Sequence, residues 1–339
     1  MTPNHSGTPP QRHDRRKLVL LIVAYYAAST VTSCLTKQVL VVFPRPVTVS
    51  LAQQMFATIG GLARVRSIRD ALVEWRGTMP VALTLMTSVV LYRISLLYST
   101  LSFAQAVKTL QPLFAALLST LLLRERTSPR RMLSLLLLLA GVTVATTTEL
   151  SFSLLGFACT VGACFAQALQ AVLSKSLLVH NHIGPDDLFA VTALCTTVLL
   201  LPLWMAIDAP SLAAGEPPHL LGSGTIPLLL LNGVSNFLTQ QLSFTVLCTV
   251  VSPVSAAVVT TFKRIITIAA AVFWFGTSMT LANVFGVSLA LLGVTLFQEQ
   301  HRTPEAGSPD MRRMHMPLSL ALSPRRRDGE VSRALCRAV

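Results

Sequence analysis

Charge is scarce in this chain. Only 12% of its 339 residues are Asp, Glu, Lys or Arg, against roughly 25% in an average soluble domain, and that deficit excludes an ordinary water-soluble fold. Aromatic residues are sparse at 6%, which argues against a transmembrane β-barrel with aromatic girdles. Acidic residues are the rarer charged class, 14 against 27 Lys and Arg. The six cysteines show no zinc-type spacing, and five of them (Cys34, Cys159, Cys164, Cys195 and Cys248) lie in apolar runs, where a thiol packs as a small hydrophobe. Neither a metal site nor a disulfide framework is expected. The chain also lacks a Walker loop, an HExxH or GxSxG motif and a dinucleotide fingerprint, so the expectation is a protein without catalytic residues, cofactor or metal. The net charge of +13 does not point to nucleic acid, because the basic residues lie in tails, alternate loops and apolar runs rather than on one soluble face.

What is abundant is apolar length. Hydrophobic residues make up 52% of the chain, in runs of about 20 that match the thickness of a bilayer core. The fold class expected is an all-α polytopic membrane protein with ten transmembrane helices, at about 18–42, 47–65, 79–98, 101–123, 129–148, 152–178, 187–207, 223–248, 252–275 and 279–298. Residues 1–17 form a basic leader, 18–298 the membrane domain, and 299–339 an Arg-, Pro- and Ser-rich tail of disordered composition. Arginines fill the leader, the loop with Arg64, Arg66, Arg69 and Arg76, the loop with Arg124, Arg126, Arg130 and Arg131, and the tail, so the positive-inside rule places both ends in the cytosol. The fifth run ends Ala140-Gly141-Val142-Thr143-Val144 and the tenth Leu292-Gly293-Val294-Thr295-Leu296. That weak repeat divides the domain into 18–150 and 151–298, two five-helix halves that an odd span count would invert in the membrane.

The distribution of lysine is unusual. Of the five, Lys37, Lys108, Lys175 and Lys263 fall within spans or at their ends, as do Arg93 and Arg264. A charge near the bilayer centre costs about 2.5–3.5 kcal/mol. Every Asp and Glu falls in a tail, a loop or a span end, so the interior cations have no carboxylate at their depth. A buried charge must be paired, solvated or neutralised, and the simplest partner is an anion from solution. Lys37 and Lys175, nearer span ends, also fit snorkelling to the interface. Pro112 cannot donate to the carbonyl of Lys108, so the fourth helix is expected to bend there and free a polar group.

The stretch Leu101-Ser102-Phe103-Ala104-Gln105-Ala106-Val107-Lys108 resembles the fourth-helix motif of the triose-phosphate/nucleotide-sugar translocators of the drug/metabolite transporter superfamily. Ser252-Pro253-Val254-Ser255 followed by Lys263-Arg264 resembles the ninth-helix motif, while Glu149-Leu150-Ser151-Phe152 and Leu173-Ser174-Lys175 resemble the fifth and sixth. The resemblance implies two inverted five-helix halves and exchange of phosphorylated metabolites, the phosphate being held by Lys108, Lys263 and Arg264. It also implies departures from the plastid members. Tyr92 stands where they have Thr, Gln170 where they have Arg, Gln240 where they have Tyr and Val89 where they have His. Arg93, Tyr92, Gln170, Gln240 and Lys37 are therefore further candidates for binding the rest of the substrate. The implied activity is an antiporter of a sugar phosphate or inorganic phosphate. A nucleotide-sugar or nucleoside-monophosphate antiporter is the alternative. The departures point to a Golgi or endoplasmic-reticulum membrane over a plastid envelope. The partners expected are a phosphorylated small molecule and the lipid bilayer, with oligomeric state left open.

Overall fold

The structure, a computed structural model, describes residues 12–65, 75–122, 129–150, 152–180, 185–213, 224–249, 253–276 and 279–300. Most of the leader, the tail from 301, and Arg66, Arg69, Arg124, Arg126 and Ser252 lie outside them, as does the side chain of Lys175. The described residues are helical apart from short links. The helices are α1 Arg12–Val42, α2 Pro46–Leu62, α3 Trp75–Tyr98, α4 Leu101–Val107, α5 Gln111–Leu122, α6 Pro129–Thr147, α7 Leu154–His180, α8 Pro185–Ile207, α9 Ala209–Ala213, α10 Thr225–Thr249, α11 Pro253–Phe275 and α12 Leu281–Gln300. A 3-10 turn, Lys108–Leu110, separates α4 from α5.

Side-chain polarity is inverted relative to a soluble protein. Large apolar side chains face outward along the helices; Phe273 and Leu281 are 91% and 90% exposed. Gln53, Asn232, Arg93 and Arg264 are buried. Lipid cannot hydrogen-bond polar groups, so a spanning protein turns them inward. Among the described residues, five stretches are long and apolar enough to cross a bilayer: Leu18–Val42, Trp75–Tyr98, Leu101–Leu118, Leu154–Ser174 and Asp186–Ile207. The molecule is thus a multi-pass, all-helical membrane protein.

The principal helix pairs are α6 with α12, α3 with α7, α2 with α8 and α1 with α10, followed by α3 with α8, α2 with α10, α5 with α7, α1 with α11 and α4 with α11. Every one of these joins a helix before residue 150 to one after it. Small residues allow the closest approaches. A Cβ on Gly141 would stand 2.3 Å from the Ala290 amide nitrogen, and one on Gly293 would stand 2.5 Å from that of Leu138. The two glycines of the sequence repeat therefore lie in one seam between α6 and α12.

The α2 entrance shows how one link is fixed. Pro46 pre-sets the first helical turn, but Arg45 offers no capping side chain. Asp208, at the end of α8, caps it in trans. One carboxylate oxygen accepts from the Thr48 amide at 2.7 Å and from its hydroxyl at 2.8 Å, and the Trp204 indole donates to the same hydroxyl at 3.0 Å. Asp208 is buried. Asp208→Ala would leave a half-buried amide without its acceptor and is expected to destabilise the protein by about 0.5–2 kcal/mol, the cost of a lost helix cap. Thermal melting in detergent measures this, and Asp208→Asn, which keeps a carbonyl at the cap, should recover part of the loss.

Candidate functional site

Pro112 explains the local structure on which the site depends. Because it has no N–H, the carbonyl of Lys108 has no i+4 partner and the chain tightens into the 3-10 turn, where the Gln111 amide bonds that carbonyl instead. The carbonyl keeps a second lone pair, and Arg264 of α11 takes it. Its Nη1 donates to the Lys108 oxygen at 2.7 Å and its Nη2 donates to Gln111 Oε1 at 3.0 Å. The planar guanidinium fork thus clamps the broken helix to α11 and keeps both basic residues at one depth.

The same region encloses a cavity of ≈ 500 Å³ between α1, α2, α3, α4, α5, α7, α10 and α11. Among the described residues, four cations line it, Arg93, Lys108, Lys263 and Arg264, and no carboxylate does. Lys108 Nζ sits 3.8 Å from the centroid of the Tyr92 ring and Lys263 Nζ 5.2 Å from that of Tyr25. The aromatic faces offset part of the cation cost, up to about 2 kcal/mol each when desolvated, but supply no counter-charge. Tyr92 is oriented by Gln105, whose Nε2 donates to its hydroxyl at 2.9 Å. Arg93 Nη2 donates to Gln53 Oε1.

Of the residues singled out in the sequence, Lys108, Lys263, Arg264, Arg93, Tyr92, Gln170 and Gln240 all line this one cavity. Val89 lines it too, at the position where the plastid resemblance has a His. Lys37 does not. It lines a separate hollow of ≈ 230 Å³ beside Ser99, Thr100 and Phe275, and its ammonium donates to the carbonyls of Leu96 and of Ser99, the latter at 3.0 Å. There it serves the carbonyl end of α3. Among the span amides, Gln167 and Asn236 line the cavity, whereas Asn232 accepts from Thr36 at 3.0 Å and Gln241 accepts from Arg64.

Sequence reasoning missed the α1 wall, formed by Ser29, Thr32, Ser33 and Thr36, and the glutamines Gln53, Gln54, Gln105 and Gln111. The α1 signal was available, since hydroxyls spaced three, one and three residues apart form a polar stripe on one face of an apolar helix. The arrangement is that of a polar, cationic chamber within a membrane protein, suited to binding a small multivalent anion with hydrogen-bonding substituents.

A sequence profile described as the Triose-phosphate Transporter family matches residues 16–298. The chain is similar to phosphoenolpyruvate/phosphate translocator 2 of Arabidopsis thaliana chloroplasts, 30% identical over 315 residues that cover 87% of this chain and 80% of that protein. It is also similar to glucose-6-phosphate/phosphate translocator 2 of the same plant, a chloroplast protein 25% identical over 297 residues, with 85% and 76% covered. A solved structure described only as a crystal structure of a protein superposes with a TM-score of 0.55 at 17% identity, covering 85% of this chain and 99% of the other, a likeness of fold alone.

Proposed function

The chain belongs to the triose-phosphate transporter family, and from that membership and the cavity we propose that it is an antiporter exchanging an organic phosphate for phosphate across an organelle membrane. The observation that carries the reading is the cluster of four cations around one cavity with no carboxylate among the described residues that line it. Lys108, Lys263 and Arg264 are assigned to the phosphate. Lys supplies a point charge, Arg a fork matched to phosphate oxygens, and each charge-assisted bond contributes about 1.5–3 kcal/mol. Tyr92, Gln170 and Gln240 face the remainder of the substrate.

Alternating access fits ten spans in two inverted halves. Pair each helix of the first half with its counterpart five spans on: α1 with α7, α2 with α8, α3 with α10, α4–α5 with α11, and α6 with α12. Under that exchange the α3–α7 contact becomes α10–α1, α3–α8 becomes α10–α2, and α5–α7 becomes α11–α1. The α2–α8, α4–α11 and α6–α12 contacts map onto themselves. All of these contacts occur, which supports the inverted repeat. With the Arg-rich loops in the cytosol, both termini lie there as well. The chloroplast names of the relatives count against ranking a Golgi or endoplasmic-reticulum site above a plastid one, and the reading is accordingly an organelle membrane.

The cavity also accounts for obligatory exchange. Occluding an empty cationic chamber leaves uncompensated buried charge, whereas a bound phosphate offsets much of it. Reorientation is then favoured only when the site is loaded. In proteoliposomes, uptake of labelled phosphate should require phosphate inside and fall at least tenfold in its absence. Equal uptake in the two cases would rule out coupling.

A further inference from the structure

Resting on that antiport reading, we propose that Tyr92 and Tyr25 are positioning residues of the phosphate site. Each holds one of its two ammonium groups on a ring face, in place to meet the phosphate as it enters.

The partners of the cations are the first ground. Arg264 donates to the Lys108 carbonyl and to Gln111, and Arg93 donates to Gln53. Lys37, outside the cavity, donates to two carbonyls. Lys108 and Lys263 differ from all three. Among the described residues, what faces each of their ammonium groups is a tyrosine ring, with its centroid 3.8 Å from Lys108 Nζ at Tyr92 and 5.2 Å from Lys263 Nζ at Tyr25. Tyr25 and Tyr92 are also, among the described residues, the only aromatic side chains that line the cavity. A ring attracts the charge through its quadrupole rather than through a carbonyl lone pair. The ammonium can therefore turn its N–H groups to an incoming oxygen without first breaking a hydrogen bond to the protein.

The second ground is that the rings are themselves held. Both are buried. The Tyr92 hydroxyl accepts from Gln105 Nε2 at 2.9 Å, and the Tyr25 hydroxyl accepts from the Ser243 hydroxyl at 3.3 Å. Gln105 precedes Lys108 by three residues, and α4 runs directly into the turn that Lys108 opens, so the two side chains leave the helix on one face. A single stretch of chain thus supplies the ammonium and the group that orients the ring beneath it. A lysine on its flexible four-carbon stem otherwise spends part of its time where it cannot reach the phosphate. Apparent affinity falls in proportion to the fraction of time spent in the competent place, and the ring raises that fraction.

Fluorination of the ring tests this, because it weakens the negative face while nearly preserving shape. Position 92 is changed to Phe and then to mono-, di- and trifluorophenylalanine, and the Kd for inorganic phosphate is measured calorimetrically on the full chain in detergent. Tyr92→Phe keeps the face and should bind within about threefold of the unmodified protein. Each fluorine should then weaken binding by a similar factor, reaching about tenfold at three, and Tyr92→Leu should be at least as weak. Tyr25→Leu should lose less, since Lys263 stands further from its ring. Arg93 Cζ also lies 5.4 Å from the Tyr92 centroid, so the series is repeated with Arg93→Gln, where the trend should persist. A flat fluorine series, a Tyr92→Phe protein as weak as Tyr92→Leu, or a trend that vanishes with Arg93→Gln overturns the seat. Exchange by the unmodified protein alongside a flat series leaves the antiport reading standing without it. The expected trend in binding without exchange in proteoliposomes overturns antiport and leaves the seat, and absence of phosphate binding overturns both.

Discussion

Arg264→Ala is expected to lower phosphate exchange by a hundredfold or more. The residue acts in two ways at once. It contributes a fixed positive charge to the cavity, and through Lys108 O and Gln111 Oε1 it holds the 3-10 turn that Pro112 creates. Truncating one partner of a buried charged hydrogen bond costs about 2–5 kcal/mol, which corresponds to roughly thirty- to several-thousand-fold in binding. The same change frees Lys108 to leave its place over Tyr92, so the loss should exceed that of one contact. Lys263→Ala separates the two effects. Lys263 stands over Tyr25 and takes no part in the clamp, so its removal should also abolish transport yet lower the melting temperature less than Arg264→Ala does. Arg264→Lys keeps the charge but not the fork and should recover only a minor part. The measurement is the initial rate of labelled phosphate uptake at matched protein incorporation. An Arg264→Ala rate within tenfold of the unmodified protein would remove this residue from the site.

How far the sequence could reach is visible at Pro112. The missing N–H made the break in the fourth run legible, and the observed helix does divide at Lys108–Leu110. The group that takes the freed carbonyl was not legible, because Arg264 lies more than 150 residues away and only packing of α4 on α11 brings the two together. The cations were legible as a class, since their cost in lipid singles them out. Their positions were not. Lys37 and Lys108 look alike in sequence, yet Lys37 caps the carbonyls that end α3 while Lys108 enters the cavity. Adjacent amides show the same limit. Gln240 lines the cavity and Gln241 meets Arg64, because one step along a helix turns the side chain by about 100° and no pattern in a uniformly apolar run fixes the phase. The short α9 went unread, since Ala209–Ala213 is too brief to show a period.

Gly141→Ala is expected to destabilise the fold by about 1–3 kcal/mol, the cost of overpacking, although it adds a single methyl group. The added Cβ would stand 2.3 Å from the Ala290 nitrogen and 2.7 Å from its Cα. Both are backbone atoms, so no side-chain rotation relieves the clash and α6 must move away from α12. Small residues are the means by which helices approach this closely in lipid, where burial of apolar surface provides no drive between them. Gly286→Ala should act similarly, its Cβ falling 2.5 Å from the Ala145 nitrogen. The double variant should cost less than the two singles together, because one separation of the helices accommodates both. Gly224→Ala, with nothing within 4 Å of the new atom, is the control and should stay within about 0.5 kcal/mol. The consequence reaches the site. Leu138 and Val142 of α6 and Ala290 and Val294 of α12 share one buried cluster with Phe103, Val107 and Leu110, which flank Lys108. Opening the seam therefore loosens the bed of the 3-10 turn, and the glycine variants should lose exchange activity as well as melting temperature. A Gly141→Ala protein that melts like the unmodified one would show that the seam yields without cost, and the close approach of α6 and α12 could then not be what sets the height of Lys108 in the cavity.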